Sequence, residues 1–210
     1  MSLNALSANT SNLAADRSLV LLHGWGANGR DVAGVANYLS LPKYQLWFPE
    51  APWPHPAPGG RMWYALPADL SFEQAHTFQR QPDLQKSRAL LLQWLQALPE
   101  NTGIPLEKTV LGGFSQGAAM ALDVGLQLPL AGLLMLSGYC HSPLAPGSSQ
   151  YPIRVIHGRQ DPVVPLAQAQ LVYERLLDLG VSVDYTELDM GHEIDLDALK
   201  LVQRFCEEQM

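Results

Sequence analysis

The stretch VLGGFSQGAAM (residues 110–120) sets a serine between glycines, directly after an apolar run and directly before residues that favour a helix. Gly113, Phe114, Ser115, Gln116 and Gly117 spell G-x-S-x-G. The run KTVLGGF (108–114) has the form of a strand buried on both faces of a sheet, and the residues from Gln116 to Leu126 have helical spacing. A strand, a sharp turn and a helix are the setting in which flanking glycines let the backbone take a strained turn, so that the serine hydroxyl stands clear of the sheet. A phosphate cradle would use a similar turn, but there is no Gly-Lys-Ser/Thr ending here and no G-x-G-x-x-G after the first strand.

Outward from this turn the same form recurs. SLVLLHG (18–24), YQLWFPEAP (44–52), AGLLMLSG (131–138) and YPIRVIHG (151–158) are short apolar runs ending in Gly or Pro signals, and VSVDYTEL (181–188) alternates more. Between them, helical spacing covers residues 31–39, 84–98, 116–126, 166–179 and 196–205. In the second of these Leu84, Ser87, Leu91, Trp94, Leu95 and Leu98 form an apolar stripe, which assigns Trp94 to core packing. Strands alternating with helices predict an α/β fold, a mainly parallel sheet with helices on both faces and ligand sites at the carboxyl ends of its strands. The longest irregular stretch, residues 49–72, is rich in Pro and aromatics. A loop of that length in a compact domain is functional or disordered, and its aromatics argue against disorder.

The 210 residues, 47% of them hydrophobic and without a shift of composition midway, predict one domain over 1–210 with a flexible N-terminal segment over 1–16. The net charge of −7 and the absence of a Lys/Arg cluster exclude nucleic acid as a natural partner. Cys140 and Cys206 lie far apart and form no CxxC pair, so neither a disulfide framework nor a zinc motif is indicated, and no metal or organic cofactor is expected. The first residues lack a basic region followed by an apolar core, and no run approaches the ~18 apolar residues of a membrane span. A cytoplasmic location follows as the expectation.

A serine hydroxyl is a poor nucleophile until a base takes its proton, and the base needs a third group to orient it. In the chain order serine, acid, histidine, His141, His157 and His192 are candidates for the base. His141 leaves too little chain for an acid before it, and His157 precedes any suitable carboxylate. His192, in LDMGHEI after the last strand, fits best. Asp161 in HGRQDPVVP follows a strand and is stiffened by Pro162; Asp189, three residues before His192, is its rival. The oxyanion formed during acyl transfer needs two backbone N–H donors. Gln116, opening the helix, is one candidate, and Trp25, in the Gly-rich HGWGANG (23–29), is the other.

Taken together, LLHGWGANG, FPEAPWP, GGFSQGAAMAL, HGRQDPVVP and MGHEI, spanning residues 21–194, resemble the phospholipase/carboxylesterase family of α/β-hydrolases, which includes the acyl-protein thioesterases. The resemblance implies Ser115 as nucleophile, Asp161 as acid, His192 as base, and Trp25 and Gln116 as oxyanion donors. It also implies a compact α/β-hydrolase fold without a large cap, acting on carboxylic esters or thioesters of small or acylated substrates, with the acyl chain in a shallow apolar groove. Trp53, Trp63 and Tyr64 are candidates for lining that groove, with packing in the core as the alternative. A monomer or a homodimer is compatible with the sequence. Two departures bear on substrate: Trp25 stands where the family often has a smaller aliphatic residue, and residues 64–84 do not resemble the acidic stretch of the eukaryotic thioesterases. A ligand-binding module on the same fold and an amidase or peptidase with the same triad are the competing readings.

Overall fold

A computed structural model describes residues 3–9, 14–67, 72, 81–141, 144 and 151–210. Nine strands and five α-helices are found among them: β1 (Ala5–Asn9), β2 (Arg17–Leu22), α1 (Gly29–Ala33), β3 (Tyr44–Pro49), β4 (Trp53–Pro54), β5 (Arg61–Met62), α2 (Pro82–Thr102), β6 (Thr109–Phe114), α3 (Gln116–Gly125), β7 (Gly132–Leu136), β8 (Ile153–Gly158), α4 (Leu166–Asp178), β9 (Val183–Leu188) and α5 (Leu196–Glu208). Seven strands form one sheet in the order β1-β3-β2-β6-β7-β8-β9, parallel except for β1.

The apolar runs form this sheet because successive side chains of a strand point to opposite faces, and both faces are covered. In β2, Val20 and Leu22 join the core shared with α2, α3 and α4, while Leu19 and Leu21 join the core shared with α1 and α5. In β7, Leu133 and Met135 divide from Leu134 and Leu136 in the same way. The more alternating run over 181–188 becomes β9, the edge strand, where one side is open to water. Helix α3 is buried almost all round and is built largely of Gly and Ala, so it can lie close against the sheet.

Three expectations need correction. The N-terminal segment over 1–16 is not flexible throughout: Ala5–Asn9 pairs antiparallel with β3, from Ala5 opposite Pro49 to Asn9 opposite Gln45, and Leu3 is buried. Backbone hydrogen bonds along the bare edge of β3 hold β1, and these need no apolar pattern in the strand that supplies them. Residues 1, 2 and 10–13 of that segment lie outside the described residues. The helix over 31–39 is one α-helical turn followed by a 3₁₀ turn, Gly34–Tyr38. The irregular stretch holds a short antiparallel pair, β4 with β5; its residues 68–71 lie outside the described residues.

Removal of residues 1–9 exposes the edge of β3. We expect that truncation to lower the urea midpoint, by about 1–3 kcal/mol of unfolding free energy for the lost ladder, and to promote self-association through the bare strand. Urea titration with light scattering checks both.

Candidate active site

Four loops meet at the carboxyl edge of the sheet, after β2, β6, β8 and β9, where an α/β sheet places its ligands. Ser115 ends β6 and opens α3 with φ 53° and ψ −117°, a conformation that costs a residue with a side chain about 1–3 kcal/mol. Its amide N–H still donates to the Leu136 carbonyl of β7 at 2.8 Å, so the sheet ladder holds the strained residue in place. The flanking glycines are required by contact. A Cβ at Gly117 would lie 2.4 Å from the Leu22 carbonyl oxygen and 2.5 Å from that of His23, and one at Gly113 would lie 2.3 Å from the Gly117 carbonyl carbon.

His192 reaches back over this turn. Its Nε2 lies 3.0 Å from Ser115 Oγ, its Nδ1 lies 2.7 Å from Asp161 Oδ2, and its ring rests against Phe114 at a centroid distance of 4.7 Å. The Asp161 side chain is fully buried. Its Oδ1 accepts the N–H groups of Val163 and Val164, both at 2.8 Å, so the loop after β8 fixes the carboxylate before His192 meets it. Asp189, the rival acid, is engaged instead by Arg159 at 2.7 Å on the surface. His157, set aside as a base, is buried beneath: its Nε2 donates to the Val164 carbonyl at 2.9 Å and lies 3.4 Å from Asp161 Oδ2. Burial pushes the His157 imidazole below its ordinary range, which keeps it neutral.

The loop after β2 runs beside the serine, since a Cβ at Gly24 would lie 3.4 Å from Ser115 Cβ. This loop is fastened by the irregular stretch. Gly26 N–H donates to the Arg61 carbonyl at 2.9 Å, Arg61 N–H to the Ala27 carbonyl at 2.8 Å, and Trp63 Nε1–H to the His23 carbonyl at 3.0 Å. The exposed Trp25 ring stands edge to face with His55 at 4.1 Å. His23 is buried, accepts the Ala51 N–H at Nε2 (3.1 Å) and donates from Nδ1 to the Gly24 carbonyl (2.8 Å). Burial lowers its proton affinity, as the acceptor role at Nε2 requires. The side-chain amide of Gln116 completes the fastening, accepting the Trp63 N–H at 2.9 Å and donating to the Tyr64 carbonyl at 2.8 Å.

Two of the three aromatics expected in a groove are therefore placed otherwise. Trp63 and Tyr64 are wholly buried and cannot line an open surface; the Tyr64 hydroxyl bonds to Tyr139 at 2.6 Å and to His141 Nε2 at 2.7 Å. Trp53 is half-buried, its Nε1–H shared between the Asp83 carbonyl and Ser87 Oγ, with the Lys86 ammonium over its ring. All three tie the stretch to α2 and the core. His23, His55, Arg61 and the Gln116 side chain were not singled out from the sequence. Their roles depend on contacts across the fold, and only the position of Gln116 beside the serine offered a signal. Among the described residues no cluster of three or more His, Cys, Asp or Glu side chains is placed to hold a metal ion, and no helix is long and apolar enough to cross a membrane.

The sequence profile of the phospholipase/carboxylesterase family matches residues 5–210. The chain belongs to that family. Among its relatives, acyl-protein thioesterase 1 of Neurospora crassa is 29% identical over 216 aligned positions, covering 92% of this chain and 86% of that one. Esterase YpfH of Escherichia coli is 29% identical over 192 positions, covering 86% and 78%. The crystal structure of esterase PE8 superposes with a TM-score of 0.89 at 30% identity, covering the whole of both chains. This phospholipase/carboxylesterase family member is thus a hydrolase with the α/β-hydrolase fold.

Two outcomes follow for the family member's site. Gly117→Ala forces a methyl group into the Leu22 and His23 carbonyls; we expect a loss of about 1–3 kcal/mol of stability and displacement of the Ser115 turn, read by urea unfolding and by loss of hydrolytic turnover. His23 has a folded proton affinity below its unfolded one. The stability this contributes is complete above the unfolded value of about 6.5 and is lost as the pH falls below it. In His23→Gln the decline of the urea midpoint between pH 7.5 and 5 is expected to be shallower than in wild type.

Proposed function

We propose that the protein hydrolyses carboxylic esters or thioesters through an acyl-enzyme on Ser115. The single observation that carries this reading is the hydrogen-bonded chain from Ser115 Oγ through His192 to buried Asp161, at 3.0 and 2.7 Å, anchored on a serine in a strained turn. With Nδ1–H held by Asp161, the neutral imidazole has its Nε2 lone pair directed at the serine hydroxyl. His192 takes the hydroxyl proton as Oγ attacks the carbonyl carbon, and Asp161 stabilises the resulting imidazolium without itself taking the proton. The carbonyl oxygen becomes an oxyanion, for which the backbone N–H groups of Gln116, at the start of α3, and of Trp25 are the donors in this reading.

Collapse of the tetrahedral intermediate breaks the bond to the leaving oxygen or sulfur, and His192 Nε2–H protonates it. Water then attacks the acyl-serine, giving its proton to His192. The second collapse releases the carboxylic acid and returns the proton to Ser115. Nothing in this sequence needs a metal or an organic cofactor. The relatives named as acyl-protein thioesterases and esterases support an acylated substrate, thioester or oxygen ester.

The test is kinetic. Ser115→Ala is expected to lower kcat by about six orders of magnitude, and Asp161→Asn by three to four, about the loss seen when the orienting acid of such a triad is made neutral, with KM little changed and the fold intact by circular dichroism. Near-normal turnover in folded Asp161→Asn would assign the acid elsewhere. Near-normal turnover in Ser115→Ala would end the acyl-serine reading and leave the site to a bound ligand.

A further inference from the structure

We propose, resting on the reading of Ser115 as nucleophile, that the cleft between α1 and the His192 loop is the leaving-group subsite, and that it takes an alcohol or thiol with an apolar body and a neutral or cationic outer end. The cleft has a volume of about 330 Å³. Val32, Val35, Phe114 and Ile194 give it an apolar floor, His192 lines it, and the exposed Asp31 and Glu193 stand at its rim. The volume lies at the small end of the range for ligand pockets, enough for a short chain or a single ring.

Chemistry decides which half of the substrate enters. The Nε2–H formed on His192 by the first proton transfer must reach the departing oxygen or sulfur, so that atom lies within hydrogen-bonding distance of the imidazole. The acyl carbon stays bonded to Ser115 after the break; the leaving group is the part that passes His192. A cleft walled by His192, Glu193 and Ile194 is on that path. Burying each methylene of a leaving group on the Val35 and Ile194 floor is worth about two- to four-fold in kcat/KM when the contact is made in the transition state.

Charge narrows the class. Among the described residues the cleft is lined by two carboxylates and by no Lys or Arg. Asp31 is fixed there, its Oδ2 accepting the Asn28 N–H at 2.9 Å. Arg61, a cation on the neighbouring stretch, is turned to the Ala51 and Pro52 carbonyls and to Glu50. A phosphate-bearing leaving group would therefore meet negative charge without a compensating cation. Because both carboxylates are exposed, the discrimination is several-fold and weakens with salt.

The test uses two series of thioesters, with thiol release followed by colour. In S-acetyl alkanethiols the leaving group lengthens from ethyl to hexyl; in S-methyl thioesters the acyl group lengthens from acetyl to hexanoyl. S-acetylthiocholine and S-acetylthioglycolate supply the charged pair. In wild type we expect kcat/KM to climb with leaving-group length and thiocholine to exceed thioglycolate several-fold. Val35→Phe, which fills the floor, flattens the leaving-group climb, and Val35→Ala extends it, while the acyl-length slope stays as in wild type; Glu193→Gln narrows the charge gap. The proposal is overturned if the Val35 variants change the acyl-length slope instead, which would make the cleft the acyl site, or if they change neither slope. Failure of wild type to release thiol from any member of either series would instead end the underlying hydrolytic reading, before any variant is compared.

Discussion

The start of α3 lies against the ends of β2 and β6 closely enough that two glycines are obligatory, and the rest of the site depends on that approach. Gly117 sits where a methyl group would overlap the Leu22 and His23 carbonyls, and Gly113 sits where one would overlap Gly117. Between them Ser115 is forced to a positive φ. The strain is held by neighbours on both sides: a ladder hydrogen bond donated to β7 and a helix that is buried almost throughout. The hydroxyl is thus presented by rigid elements, and His192 and Asp161 need only arrive from the next loops along the same edge.

The irregular stretch from Pro49 onward serves this arrangement as a clamp. Its backbone pairs with the loop after β2, its Trp63 indole holds the His23 carbonyl, and Arg61 is committed to the carbonyls of its own turn. Gln116 closes the circuit, because its backbone opens α3 while its side chain grips Trp63 and Tyr64. The buried Ala51 N–H is satisfied by His23, a histidine whose burial disfavours the proton. Beneath Tyr64 the network continues through His141 to Asp123 and Arg88. Burial opposes the charge on Asp123, but the hydrogen bonds and charges of His141 and Arg88 hold its carboxyl below the ordinary range.

What could be read from the sequence is what local pattern encodes. Five of the six parallel strands announced themselves because burial on two faces demands continuous apolar runs, the edge strand β9 by its alternation, and the turn at Ser115 because only glycine tolerates its neighbours. Asp161 and His192 could be chosen over their rivals by chain order and by the strand ends they follow, and the fold brings those two to Ser115. β1 was hidden because an edge strand is held by backbone groups, which every residue carries; its pattern of half-buried and exposed side chains gave no period to detect. Trp63 and Tyr64 were misplaced for a related reason. Composition told that Trp63 and Tyr64 must be buried somewhere, but their direction, into the core rather than along a groove, is set by partners 40 to 77 residues away, His23, Gln116, Tyr139 and His141.

The central claim is that Ser115, and no other hydroxyl of this chain, becomes covalently acylated. Intact-mass spectrometry after exposure to a fluorophosphonate, followed by peptide mapping, tests it most directly. The account predicts a single adduct, on Ser115, that forms only while the protein is folded and is absent from Ser115→Ala. A folded protein that turns over esters yet carries no adduct, or carries it on another residue, would contradict it.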